Sequence, residues 1–166
     1  MIDEHSFGKI PFSQLADEIT NMKEADQEMR RQGLVGEHWD DSIDIQNTNR
    51  LKEIVAEIGW PSITKVGANA SYNAWLLVQH SYDVAFQITC LNLMKELPVH
   101  EVDQANIAYL EDRIRVRLGE AQLYGTQRII KDGKETLAPI ADEIEVNNRR
   151  AEMNLPPLQK HSLRDE

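Results

Sequence analysis

The 166-residue chain has the length of one domain and can bury a substantial core. Its net charge of −10 repels polyanions, so no nucleic-acid partner is expected. The longest strictly apolar run, AWLLV at 74–78, is far too short to span a membrane. The acidic start MIDEHSFGKI does not resemble a signal peptide, and the single cysteine, Cys90, excludes an internal disulfide. These features predict a cytoplasmic protein without a membrane partner.

Apolar residues at helical spacing predict the first half of the fold. The polar run 37–49 predicts a loop, with Asn47 or Thr48 capping the helix that follows. Asp83 is the expected N-cap of a later helix. The predicted helices before Gly119 cover residues 11–31, 50–58, 68–79, 84–97 and 104–118.

Beyond Gly119 the pattern changes to short extended runs. Asp132-Gly133 is a strong turn signal and predicts a β-hairpin over about 121–139. Strand alternation across 122–129 places Gln127 on the core-facing side. A last helix is expected over 143–153. The predicted fold is mainly α, a compact domain of five to six helices with one C-terminal β-hairpin.

The whole chain, 1–166, is predicted to be a single domain. Residues 1–43 are expected to form an N-terminal helix and loop. Residues 44–158 are expected to form the core, and 159–166 a polar tail.

Polar side chains recur on helix faces that are otherwise apolar. The run WLLVQH at 75–80 ends in Gln79 and His80, on a helix that is apolar nearly all round. Gln87 and Asp112 are spaced with apolar neighbours on the next two helices. Buried polar groups need hydrogen-bond partners. We therefore predict that these residues and Gln127 form one shared network where the helices meet the hairpin.

Five segments together resemble an uncharacterised bacterial protein family. The motifs are GWPSITKVG (59–67), WLLVQH (75–80), DVAFQ (83–87), AYLEDR (108–113) and QLYGTQ (122–127). The resemblance covers about 44–158 and implies no established activity. It marks the same polar positions as the spacing argument and assigns them no chemistry.

His80 is the best candidate for chemistry, because imidazole titrates near neutral pH and can act as a general acid or base. We predict His80 as the catalytic base and Asp112 as the group that orients it. The predicted substrate-binding residues are Gln79, Asp83, Gln87, Arg113, Tyr124 and Gln127. A metal site at His80, Asp83 and Asp112 is disfavoured because no ligand spacing supports it. Neither a metal nor a cofactor is expected.

Two classes of function follow from this pattern. In the first, the protein binds a small-molecule ligand, or acts on it, in a polar pocket between helices 68–80, 83–97 and 104–118, with the hairpin across the opening. In the second, it is a structural or protein-interaction domain whose buried network only fixes the fold. The sequence leaves open whether the protein is an enzyme and sets no oligomeric state.

Overall fold

A computed structural model describes residues 10–34 and 40–159. Within them the chain forms six helices and one two-stranded antiparallel sheet, so the mainly α prediction is confirmed. The elements are α1 (Phe12–Leu34), α2 (Asp41–Ile58), α3 (Ile63–His80), α4 (Val84–Glu96), α5 (Gln104–Arg117), β1 (Arg128–Lys131), β2 (Lys134–Leu137) and α6 (Val146–Glu152). None of the helices in the described ranges is long and apolar enough to cross a membrane.

The second helix corrects the predicted loop at 37–49, of which residues 37–39 lie outside the described ranges. It begins at Asp41, because the Asp40 side chain accepts the backbone N–H of Ser42 at 3.0 Å and so caps it. Asn47 and Thr48 lie inside this helix and are buried rather than capping it. The buried face at the start of this helix consists of polar side chains. Apolar residues therefore do not recur there at helical spacing, and the sequence pattern did not indicate a helix.

Helix α3 carries a break near its start. Gly67 has φ 83° and ψ 158°, which separates the opening turn from a regular helix that begins close to the predicted residue 68. Residues other than glycine rarely adopt this backbone conformation. The helix ends at His80, and Asp83 then caps α4 as predicted, accepting the backbone N–H of Phe86 at 2.9 Å.

The core lies between the helices of the first two thirds of the chain. Helix α1 packs chiefly on α3, and α4 packs on α5. The indole N–H of Trp75 donates to the carbonyl of Asn106 at 2.9 Å and ties α3 to α5. The completely or almost completely buried apolar side chains include Leu15, Ile19, Leu51, Ile54, Trp60, Val78, Cys90, Met94 and Leu110.

The hairpin turn is confirmed, but the strands are shorter than predicted. Asp132 and Gly133 both have positive φ, 52° and 77°, as a tight hairpin turn requires. The ladder covers only 128–137. Residues 123–127 form an irregular loop, so the predicted strand alternation there, which aimed Gln127 at the core, is wrong. The loop instead satisfies its backbone groups through side chains of neighbouring segments.

Candidate functional site

His80 ends α3 and meets an acid of the first helix. Its side chain is 19% exposed. The imidazole Nδ1 lies 2.8 Å from Oδ1 of Asp26 and 3.0 Å from Oδ2. Asp26 is completely buried. The predicted pairing of His80 with Asp112 is therefore wrong, because Asp26 occupies the orienting position.

Arg30 joins this pair to the second helix. Its Nε lies 3.2 Å from Oδ1 of Asp26, and its Nη2 donates to Oδ1 of Asp44 at 2.7 Å. Asp44 is 3% exposed, and its Oδ2 has no hydrogen-bond partner within residues 10–34 and 40–159. Asp26, Arg30, Asp44 and His80, which we call the His80 cluster, thus link α1, α2 and α3 through charged groups.

The two acids of the cluster have opposite electrostatics. Burial alone would raise the pKa of Asp26, but hydrogen bonds and attraction from His80, with bonds from Gln27 and Arg30, outweigh it and hold that pKa below its usual value. For Asp44, burial outweighs the attraction of Arg30, and the negative charge of Asp26 adds to it, so its pKa is raised. Asp26 is therefore the stable anion of the pair.

The ionised Asp26 decides between two readings of the contacts at His80 Nδ1, which lies 3.0 Å from the Arg30 Nε–H as well as 2.8 Å from Asp26 Oδ1. A carboxylate only accepts hydrogen bonds, so its contact with Nδ1 requires a proton on that nitrogen. The Arg30 Nε–H then donates to the Asp26 oxygens that it also reaches, rather than to Nδ1. The opposite nitrogen, Nε2, has no hydrogen-bond partner among the described residues. In the neutral ring Nε2 then holds a lone pair, the arrangement that lets a histidine accept a proton from a bound molecule.

The turn after His80 is held by side chains of α4 and α5. Arg113 donates to the Gln79 carbonyl at 3.0 Å. Arg117 donates to the Ser81 carbonyl at 2.5 Å and to Oε1 of Gln87 at 2.8 Å. Gln87 in turn donates to the carbonyl of Val78 at 2.9 Å. The predicted residues Gln79, Gln87 and Arg113 therefore lie around the end of α3, beside His80.

Asp112 belongs to a second, separate network. Its carboxylate accepts the backbone N–H groups of Leu123 at 2.7 Å and Thr126 at 3.0 Å, together with that of Tyr124. The Thr126 hydroxyl also donates to it, at 2.9 Å. Asp112 is completely buried, and it serves as the anchor of the 123–126 loop.

Gln122 and Gln127 complete that second network. The Gln122 amide donates to the carbonyls of Gln127 at 3.0 Å and Ala138 at 2.7 Å, and accepts the N–H of Gln127 at 2.8 Å. The side chain of Gln127 donates to the Thr126 hydroxyl. Burial, followed by the negative charges of Glu111 and Asp112, raises the pKa of the half-buried Tyr124. The prediction of one shared network is wrong, because the polar residues form two.

Asp83 stands apart from both networks. Besides capping α4, it pairs with Lys52 at 2.6 Å. The hydrogen bond from Lys52 and that from the Phe86 backbone lower its pKa. A surface pocket of about 190 Å³ between α2 and the start of α4 is lined by both Asp44 and Asp83, so it reaches one edge of the His80 cluster.

The residues missed in the sequence carried a readable signal. Asp26 follows Leu15, Ile19 and Met22 at helical spacing, so an acid lies on the one apolar stripe of α1. Asp44 lies one and two turns before Thr48 and Leu51 on α2. A charged residue on an apolar stripe needs a buried counter-charge, and that test would have pointed to Arg30.

The chemistry of the described side chains offers no metal centre. Within residues 10–34 and 40–159, no three histidine, cysteine or acidic side chains lie close enough to hold an ion. His80, Asp83 and Asp112 are each engaged with different partners. Burial raises the pKa of the Cys90 thiol to about 12, so Cys90 is a small core residue rather than a nucleophile.

A family model matches residues 13–165, and its description gives no function. No curated protein matches the chain, and no solved structure matches it. The family match extends further toward the N-terminus than the 44–158 expected from the motifs. It therefore includes α1, which supplies Asp26 and Arg30 to the cluster.

Proposed function

The chain belongs to DUF6624, a family of unknown function, and we propose that it binds a small molecule at the C-terminal end of α3 and carries out acid–base chemistry there with His80. The observation that carries the proposal is the 2.8 Å contact between His80 Nδ1 and the buried Asp26. The proposed roles are His80 as the catalytic residue and Asp26 as its positioning residue.

The surroundings of His80 support this role. A buried carboxylate orients the ring and stabilises the imidazolium that forms when Nε2 takes a proton. Arg30 helps to keep Asp26 ionised and its Nε lies 3.0 Å from His80 Nδ1, so the guanidinium and the imidazole share one carboxylate. The side chain remains 19% exposed, which leaves a route from solvent to the ring. We retain a cytoplasmic location as part of the proposal, supported by the single cysteine.

A second candidate function rests on a different observation. Asp26, Arg30 and Asp44 join three helices, and Asp112 and Gln87 bind main-chain groups. Under this alternative the protein is a structural or interaction domain, and the charged cluster only sets how the helices pack.

The first test measures the ring itself. Long-range ¹H–¹⁵N NMR of the full chain above neutral pH reports which nitrogen of His80 carries the proton. The proposal expects a protonated Nδ1 and a pyridine-like Nε2. A proton on Nε2 of the neutral ring contradicts it, because that nitrogen would then have no lone pair for catalysis.

The second test separates the two functions. A thermal-shift screen of metabolites compares the wild type with His80→Gln and with His100→Gln. The second variant is a matched control, because the side chain of His100 is 72% exposed. A ligand of the site raises the melting temperature of the wild type and the control but not of His80→Gln. Equal responses from all three proteins, together with strong destabilisation by His80→Gln, favour the structural alternative.

A further inference from the structure

Two arginines of α5 bind the main-chain carbonyls of the residues that precede and follow the proposed base. Nη1 of Arg113 is bound to the carbonyl of residue 79, and Nη1 of Arg117 to the carbonyl of residue 81. His80 lies between these two carbonyls in the chain. Because 113 and 117 are four residues apart, both side chains leave the same face of α5.

Neither arginine has an acidic partner among the described residues. Arg30 pairs with Asp26 and Asp44, Arg50 with Glu18, and Arg115 with Glu120. Arg113 and Arg117 contact only carbonyl and amide oxygens. Arg149 and Arg150 of α6 also bind only main-chain carbonyls. Arg113 and Arg117 differ from them because the carbonyls that they bind flank His80.

The local energetics make this arrangement unfavourable by itself. Burial, then repulsion from Arg117 and Arg30, lowers the pKa of Arg113. Burial also lowers that of Arg117. A partly buried cation without a counter-charge is costly, and this cost falls chiefly on Arg113, because Arg117 reaches solvent and the repulsion acts on Arg113. An anion bound to Arg113 would offset its desolvation and also the repulsion that it feels from Arg117 and Arg30.

Helix capping accounts for only part of the two guanidinium groups. Cations favour a helix C-terminus, where they bind the last carbonyls. Each arginine uses only Nη1 for this purpose. Nε of Arg113 is buried and has no partner in the part of the chain that the structure describes, and Arg117 is exposed to solvent. The forks therefore keep donors of the kind that bind carboxylate or phosphate in pairs.

We infer that the ligand of the His80 site carries a small oxyanion group, a carboxylate or a phosphate, and that Arg113 and Arg117 bind it beside the His80 imidazole. This inference rests on the proposed function, since it names the substrate class of the same site. The two arginines hold the anionic end of the molecule, and Nε2 of His80 faces the part that exchanges a proton.

The experiment titrates the full chain with inorganic phosphate and, separately, with succinate, at an ionic strength of about 0.15 M so that distant charges are screened. NMR signals of the arginine Nε–H groups are followed in the wild type. We expect the signals of Arg113 and Arg117 to move with saturation while that of Arg115 stays fixed. The probe that binds more tightly identifies the oxyanion as phosphate or carboxylate.

Variants of equal charge supply the control. Arg117→Gln is expected to weaken binding of the preferred probe by about tenfold or more, as loss of a charge-assisted hydrogen bond implies. Arg115→Gln, on another face of the same helix and already paired with Glu120, is expected to stay within about twofold of the wild type, because salt at about 0.15 M screens charges that do not contact the anion. Arg117→Lys keeps the charge but not the fork, and is expected to fall between them.

The outcomes distinguish this inference from the proposed function. The anion site is overturned if phosphate and succinate move all three arginine signals alike, or if they bind Arg117→Gln as tightly as the wild type. Either result leaves the prediction for the His80 tautomer unaffected. A His80→Gln protein that still binds the probe, combined with a wrong His80 tautomer, overturns the acid–base role while the anion site stands. The wild-type titration decides the matter even if Arg117→Gln fails to fold.

Discussion

Replacing Asp26 with asparagine is the sharpest test of the His80 cluster, because the same replacement at Asp44 supplies a matched control. Both acids are buried, contact Arg30 and lose one negative charge in the variant. Their electrostatics differ in sign. Attraction dominates at Asp26 and burial dominates at Asp44.

The expected cost at Asp26 follows from its contacts. His80, Gln27 and Arg30 all donate to this carboxylate, at 2.8, 2.7 and 3.2 Å. Removing one partner from a buried ion pair costs roughly 3–5 kcal/mol. Arg30 keeps Asp44, so we expect the lower end, about 3 kcal/mol of unfolding free energy. For a chain of this size that lowers the melting temperature by about 6–12 °C.

Asp44→Asn is expected to cost less than about 1 kcal/mol. The asparagine oxygen can still accept the hydrogen bond from Arg30, which is 2.7 Å long in the wild type. The replacement also removes a buried charge whose second oxygen has no partner among the described residues. Urea denaturation followed by circular dichroism measures both values. Equal costs for the two variants, or a larger cost for Asp44→Asn, would refute the electrostatic reasoning.

The pH dependence supplies a second, signed readout. The pKa of Asp26 is lowered by folding, so its stabilisation is full above the usual value of 3.8 and is lost as pH falls through the folded pKa. The pKa of Asp44 is raised by folding, so its contribution is favourable in acid and is lost as pH rises through the folded pKa. The advantage of the wild type over Asp26→Asn should therefore shrink in acid, while its advantage over Asp44→Asn should grow.

Two further substitutions test the second network and the loop it anchors. Asp112→Asn should cost roughly 2–3 kcal/mol by leaving buried donors unpaired, and hydrogen exchange should speed up at the N–H groups of Leu123, Tyr124 and Thr126; unchanged exchange there would contradict the anchoring role. Gly125→Ala should cost about 1–3 kcal/mol, because Gly125 has φ +68° and an added Cβ would lie 2.6 Å from the end of Leu158. Combining it with Leu158→Ala should relieve the contact but not the backbone strain, so a double variant whose costs simply add would argue against the clash.

The predictable part of the fold is the part governed by local chemistry. Helices α3 to α5 repeat apolar residues at helical spacing, Asp83 is an N-cap by residue type, and Asp132-Gly133 fixes its own turn. The prediction for the start of α2 was wrong because polar residues, namely Asp44, Asn47 and Thr48, form its buried face there. Such a face depends on partners elsewhere in the chain, which a spacing argument does not contain.

The candidate site shows the same limit at longer range. His80 was identified because it ends an apolar helix, but its partner lies 54 residues away in sequence. Asp112 was paired with it because both are polar groups on apolar faces. The choice between Asp26 and Asp112 is decided by how α1 packs on α3, and only the fold supplies that.

The packing of α1 on α3 also bears on synthesis at the ribosome. The apolar stripe of α1 packs chiefly on α3, and Asp26 meets its histidine only when residues up to His80 have been made. The emerging first helix therefore has most of its apolar face uncovered, and Asp26 lacks its histidine partner. Until α3 is made, α1 can pack only on α2, which is its smaller interface, and the rest of its apolar stripe is open during that interval to association with other chains. We expect α1 to be where nascent-chain chaperones engage this protein.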